Sequence, residues 1–155
     1  VLKRPPGQEL QSLDPKDYEN IIVVCGTRKW GDKRTFQDVM LDYLEDFLTP
    51  VLFVSGAAPS GADRLIINWA RYYRYPCLQK PADWDTFPRV AGFLRNEEMA
   101  KIATHCLAFY DGNSPGTAHM LEMAEKYKLK QKEIRIPGNV KAAGKQSVFV
   151  SGCAV

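Results

Sequence analysis

The residue pattern predicts an α/β fold: a Rossmann-like three-layer sandwich on a mainly parallel sheet of about five strands. Three observations carry this. The stretches "IIVVCG", "VLFVSG" and "HCLAFYDG" are unbroken apolar runs, as strands covered on both faces require. The segments between them carry apolar residues at helical spacing. Glycine and small polar residues fill most of the connections that leave the strands. A sheet order of 3-2-1-4-5 is expected.

Residues 1–19 are polar with three prolines and read as an irregular arm. Residues 21–26 form the first strand, and "TRKWGDKR" a loop. From Thr35 to Leu48, the residues Phe36, Val39, Met40, Tyr43, Leu44 and Phe47 mark a helix, which Pro50 stops. Residues 51–56 are the second strand. Leu65, Ile66, Trp69, Ala70 and Tyr73 mark the second helix. "CLQKP" (77–81) is a short third strand, and "ADWDTFPRVAG" a loop that turns into a third helix near Pro88, running to 102. Residues 105–112 are the fourth strand. In 113–128 a loop leads into a helix with Met120, Leu121, Ala124 and Tyr127 inward, and "KEIRIP" (132–137) is the fifth strand. The Rossmann-like domain is thus expected over 20–137, followed by a tail (138–155) in which "QSVFV" can add an edge strand.

The chain has 155 residues, 45% hydrophobic and 25% charged, which fits one globular domain with a full core. A net charge of +3 suits an anionic ligand but is too small by itself to indicate nucleic acid. Cys25, Cys77, Cys106 and Cys153 form no CxxC pair and are expected as reduced thiols, the first three buried. No apolar run approaches the ~20 residues of a membrane span. No signal-peptide pattern opens the chain, so the cytoplasm is the expected compartment.

In open sheets of this kind, ligands bind beyond the carboxyl ends of the strands, where strand order reverses. Four connections converge there: "GTRKWGDK", "SGAAPSGAD", "ADWDTFP" and "DGNSPGT". In "SGAAPSGAD" the glycines allow close backbone approach, and a helix starting near Gly61 offers free amides to a phosphate. The plain alternative is a tight turn with Asp63 complementing the helix dipole. "DGNSPGT" repeats the pattern: Ser114 or Thr117 can bond a phosphate oxygen and Gly116 gives clearance. Its plain alternative is an ordinary helix start with Pro115 at the first position. Neither stretch is a Walker loop or a GxGxxG.

Arg95 shares a helical stripe with Met99 and Ile102, so it needs an acidic partner or a ligand anion. Glu98 is the plain candidate partner. Trp30 and Trp84 stand in loops at the ligand edge, where either can stack on a base or roof the core. Arg28, directly after Gly26 and Thr27, is a further candidate phosphate contact. His105 and His119 have no partners at metal-ligand spacing, so a zinc site is not expected. No cofactor is expected either.

"CGTRKWGD", "SGAAPSGADRLIINWA", "ADW", "AGFLRNEEM" and "AFYDGNSPGT" occur in this order over about residues 20–130. The set resembles the YspA-like branch of the SLOG superfamily, the SMF/DprA–LOG group of Rossmann-like nucleotide-binding proteins. The resemblance implies a site for a nucleotide or nucleotide-derived ligand, such as an NAD- or ADP-ribose-like molecule or a nucleoside monophosphate. The motif positions are Gly26, Thr27, Arg28 and Trp30, then Ser55, Gly56, Gly61, Ala62 and Asp63. Trp84, Arg95, Asn96, Asp111, Gly112, Ser114, Gly116 and Thr117 complete them.

Related LOG enzymes are phosphoribohydrolases, with an arginine upstream and a glutamate three residues after a Gly-Thr. Arg95 is similar to the arginine, but Met120 stands at the glutamate's place and Glu122 lies on another side of the helix. An oxocarbenium-like transition state needs a nearby carboxylate. As a nucleotide N-glycosidase the chain would have to use Asp63, Asp83 or Asp111, with Arg95 as phosphate anchor. Single-stranded DNA binding is a further alternative, disfavoured by the lack of a basic run. LOG-like relatives suggest a homodimer by analogy.

Overall fold

The computed structural model describes residues 11–138 and the backbone of residues 149 and 150. Five strands run parallel: β1 (Asn20–Gly26), β2 (Val51–Ser55), β3 (Cys77–Gln79), β4 (His105–Tyr110) and β5 (Lys130–Arg135). Their order is β3-β2-β1-β4-β5, as the alternation of elements predicts. β6 (Phe149–Val150) pairs antiparallel beside β5; residues 146–148 of the expected edge strand, and Cys153, lie outside the described residues. So do residues 1–10 of the arm. Its described part holds a 3-10 turn, Pro15–Asp17, capped by the Asp14 side chain.

Four helices follow β1 to β4 in turn: α1 (Lys33–Leu44), α2 (Ala62–Tyr73), α3 (Ala91–Ile102) and α4 (Pro115–Lys126). Side chains of a strand alternate between its faces, so each buried strand feeds two cores. Ile22, Val24, Phe53, Leu107 and Phe109 pack with Phe36 and Met40 of α1 and Ile66 and Trp69 of α2. Val23, Cys25, Leu52, Val54, Cys106 and Ala108 pack with Met99 of α3 and Met120 and Ala124 of α4. This double coverage is why the strands read as continuous apolar runs.

Two helix bounds differ from the periodicity. α1 begins at Lys33, where the Asp32 carboxylate accepts the Thr35 amide at 3.1 Å. It ends at Leu44, yet Phe47 still packs on Tyr43 (5.2 Å) and His105 (4.9 Å), so the apolar spacing outlasts the helix. α3 begins at Ala91 rather than at Pro88. The segment before it is turned by Asp83, whose carboxylate accepts the Thr86 amide at 3.1 Å.

Candidate functional site

Strand order reverses between β1 and β4, whose chain neighbours β2 and β5 lie on opposite sides. A cleft of about 420 Å³ opens there, at the carboxyl ends of the strands. Three connections and α3 build it.

The loop after β1 is clasped to the loop after β4. Thr27 is buried, its Oγ1 2.9 Å from Ser114 Oγ, and it accepts the Asp111 amide at 3.3 Å. Asp111 Oδ1 in turn accepts the amides of Asn113 (2.8 Å) and Ser114 (2.9 Å) and the Ser114 hydroxyl (3.0 Å). Burial pushes this carboxyl up, but the amides of Asn113 and Ser114 and the two hydroxyls outweigh it and hold it below the usual carboxylate range. Asp111 therefore stays ionised as the bracket of its loop. Gly112 at φ +87° makes the turn that a side chain would strain. Pro115 then opens α4, and Gly116 and Thr117, both lining the cleft, have amides in the first turn with no intrahelical partner.

The floor comes from the other side. Gly56 is buried between two charged groups: a Cβ on it would stand 2.6 Å from Arg95 Nη1 and 2.9 Å from Asp63 Oδ2. Arg95 donates to the Gly56 carbonyl at 2.5 Å and to the Lys80 carbonyl at 3.4 Å, and its Nε donates to Asn96 Oδ1 at 3.0 Å. Asp63 Oδ2 accepts the Ala58 amide at 3.2 Å. Burial raises the Asp63 carboxyl above its ordinary value, and Arg95, Arg28 and Arg64 offset only part of this. Burial likewise lowers Arg95. Glu98, the plain partner expected for Arg95, instead pairs with Lys80 at 3.9 Å. Asn96 is buried and ties α3 to α4: its Nδ2 donates to the Gly116 carbonyl at 3.3 Å and lies 3.2 Å from His119 Nδ1.

The cleft thus gathers Gly26, Thr27, Arg28, Asp63, Arg95 and Asn96. It also gathers Asp111, Ser114, Gly116 and Thr117. Other motif positions serve the frame. Ser55 is fully buried, donating to the Asp63 carbonyl at 2.7 Å and accepting the Ala57 amide at 3.1 Å. Ala62 lies beneath Gly26, where a Cβ would meet its own at 2.9 Å. At the start of α2, Asp63 lines the cleft and Gly61 does not. Gly61, at φ +73°, packs against the backbone of the β1 loop, with Thr27 O only 2.5 Å from where a Cβ would stand. Trp30 is corrected from the ligand edge to the core: it is 8% exposed and stacks on Phe109 at 5.1 Å. Trp84 is 49% exposed and lines an adjoining hollow.

Sequence reasoning missed Cys25, Lys29, Ala58, Met99, Pro115 and Met120, which complete the lining. Lys29 was visible as the neighbour of Arg28; the others are set by tertiary packing. The hydrogen bond with Cys106 and burial push the Cys25 thiol up, which disfavours a thiolate there. Glu122 is exposed and lines no part of the cleft, whereas Met120 does. Among the described residues, no group of three or more His, Cys, Asp or Glu stands where it could hold a metal ion. Nor is any of their helices long and apolar enough to cross a membrane.

The fold and the cleft define a Rossmann-like protein with a cation-bearing hollow at the switch point of its sheet. A model of the YspA, cpYpsA-related SLOG family matches residues 20–87. The gene 61 protein of Mycobacterium phage D29 is 37% identical over 112 residues, covering 68% of this chain and 88% of the phage protein. The chain belongs to the YspA, cpYpsA-related SLOG family. Membership suggests nucleotide-related binding in general. No solved structure matches the chain significantly.

Proposed function

We infer that the cleft binds a phosphorylated, nucleotide-type small molecule, with its phosphate at the start of α4. The observation that carries this is the meeting of unpartnered helix amides with cations. The Gly116 and Thr117 amides have no intrahelical partner, and Arg28, Lys29 and Arg95 line the same hollow against only Asp63 and Asp111. The Ser114 and Thr27 hydroxyls are engaged with Asp111 and with each other, and so hold the loop that carries those amides. Affinity for adenosine monophosphate, measured by calorimetry, should fall at least tenfold in Arg95→Ala, and thermal stabilisation by the nucleotide should vanish with it. Saturable binding that Arg95→Ala leaves unchanged would refute the assignment.

A second reading, hydrolysis of a nucleotide N-glycosidic bond, is favoured by Asp63, a shielded carboxylate on the cleft floor with a raised pKa. Asp111 is a poor candidate because its Oδ1 is consumed by the loop. Incubation with nucleoside monophosphates should release free base from the wild type and none from Asp63→Asn; absence of release from the wild type rejects this reading for those substrates. Single-stranded DNA is disfavoured by the small size of the cleft, and affinity for it should not exceed that for mononucleotide at moderate salt.

A further inference from the structure

Beside the main cleft lies a second hollow of about 200 Å³, which shares Arg28, Arg95, Asn96, Pro115 and Gly116 with it. The two are therefore neighbouring chambers of one depression. Their chemistry differs. The side chamber adds Trp84, Arg89, Gly92 and Phe93, so it is walled by aromatic rings and guanidinium groups.

We propose that this side chamber is a ring subsite. It takes the planar heteroaromatic base of a ligand whose phosphate lies at the start of α4. The proposal rests on the phosphate assignment above and extends it to the other end of the ligand.

Trp84 is the one tryptophan available for stacking: it is 49% exposed, while Trp30 and Trp69 are 8% and 7% exposed. It lies over Gly92: a Cβ there would stand in van der Waals contact, 3.4 Å from Trp84 Cη2, 3.6 Å from Cζ2 and 3.9 Å from Arg95 Nη2. The indole and the Arg95 guanidinium thus both lie near the same glycine. Phe93 is held from the other side by the His119 ring, 4.4 Å away, and His119 is within hydrogen-bond reach of Asn96. Arg95 and Asn96, which shape the phosphate chamber, also orient the walls of the ring chamber.

An aliphatic side chain is a poor occupant, because it would desolvate guanidinium groups without offering them acceptors. A heteroaromatic base stacks on indole and on guanidinium planes and carries acceptor atoms at its edge. The chamber's size suits one ring system rather than a run of nucleotides.

The test uses the whole chain with three probes: adenosine monophosphate, ribose 5-phosphate and adenosine. Adenosine monophosphate should quench tryptophan emission saturably, and ribose 5-phosphate should bind without quenching. Trp84→Phe should abolish the quenching but keep affinity within about threefold, because phenylalanine still stacks. Trp84→Ala should weaken adenosine monophosphate about tenfold and leave ribose 5-phosphate unchanged. Arg95→Ala should weaken both phosphorylated probes. If ribose 5-phosphate and adenosine monophosphate bind equally and neither touches Trp84 emission, the ring subsite is wrong and the phosphate site stands. If neither phosphorylated probe binds, both fall. A blue shift of Trp84 that follows protein concentration without ligand would also overturn the proposal, assigning these rings to an interface between copies.

Discussion

Glycines 26 and 56 are both tight, but for different reasons, and substitution should separate frame from site. A Cβ on Gly26 would meet the Phe109 carbonyl at 2.5 Å and the Ala62 and Phe109 Cβ atoms at 2.9 Å. These are parts of the frame that cannot step aside. Gly26→Ala should therefore cost about 1–3 kcal/mol of stability, read by denaturant unfolding. A Cβ on Gly56 would meet only the ends of the Arg95 and Asp63 side chains. Gly56→Ala should cost no more than about 1 kcal/mol but abolish nucleotide binding, because Arg95 must leave its place.

Asp63 sets the charge of the cleft floor. Its carboxyl is raised by burial, so it ionises only above the ordinary carboxylate range. Once ionised it repels an anion in the cleft, so affinity for sulfate, whose own charge is constant, should fall as pH rises through that raised value. Asp63→Asn should remove the dependence and tighten sulfate binding at neutral pH by on the order of tenfold, about 1.4 kcal/mol of repulsion removed. The same raised value means that its contribution to stability is present at low pH and lost as the group ionises in the folded chain.

The loop between β4 and α4 acts as one unit. Asp111 brackets it through Asn113 and Ser114, and Thr27 fastens it to β1. Asp111→Ala removes three bonds at the entry to α4 and should lower stability by about 1–2 kcal/mol, as helix-cap removals do. It should also weaken nucleotide binding through lost positioning of the Gly116 and Thr117 amides, although it deletes a negative charge. Calorimetry distinguishes these: tighter binding would mean that the charge matters more than the loop. α2 starts similarly in sequence, yet Gly61 is spent on supporting the β1 loop. Two glycine-bearing helix starts thus have separate tasks, one structural and one facing the cleft.

Over the whole molecule, the sheet order and the alternation of strands and helices were legible because β1, β2 and β4 are buried on both faces and read as apolar runs, whereas β3 and β5 are half-buried or exposed at most positions and leave a fainter mark. The convergence of the connections followed from that order. What could not be read was whatever depends on a partner distant in the chain. Trp30 in a polar loop looks like a surface ring until Phe109 is placed beside it. Arg95 reads as needing an acidic partner or a ligand anion; the carbonyls of Gly56 and Lys80 take its hydrogen bonds, and the Asp63 carboxylate acts on it across Gly56. Cys25, Met99 and Met120 read as core and are also cleft floor, because a strand end and two helices meet there.

The most direct measurement is an amide NMR titration of the chain with adenosine monophosphate. The signals of Gly116, Thr117, Thr27 and Arg28 should shift together along one saturable curve. The indole signal of Trp84 should move with them, and those around His105 and Lys130, at the opposite end of the sheet, should stay still. Saturable shifts confined to that opposite end, or no shift at Gly116 and Thr117 at saturating nucleotide, would contradict a phosphate seat at the start of α4.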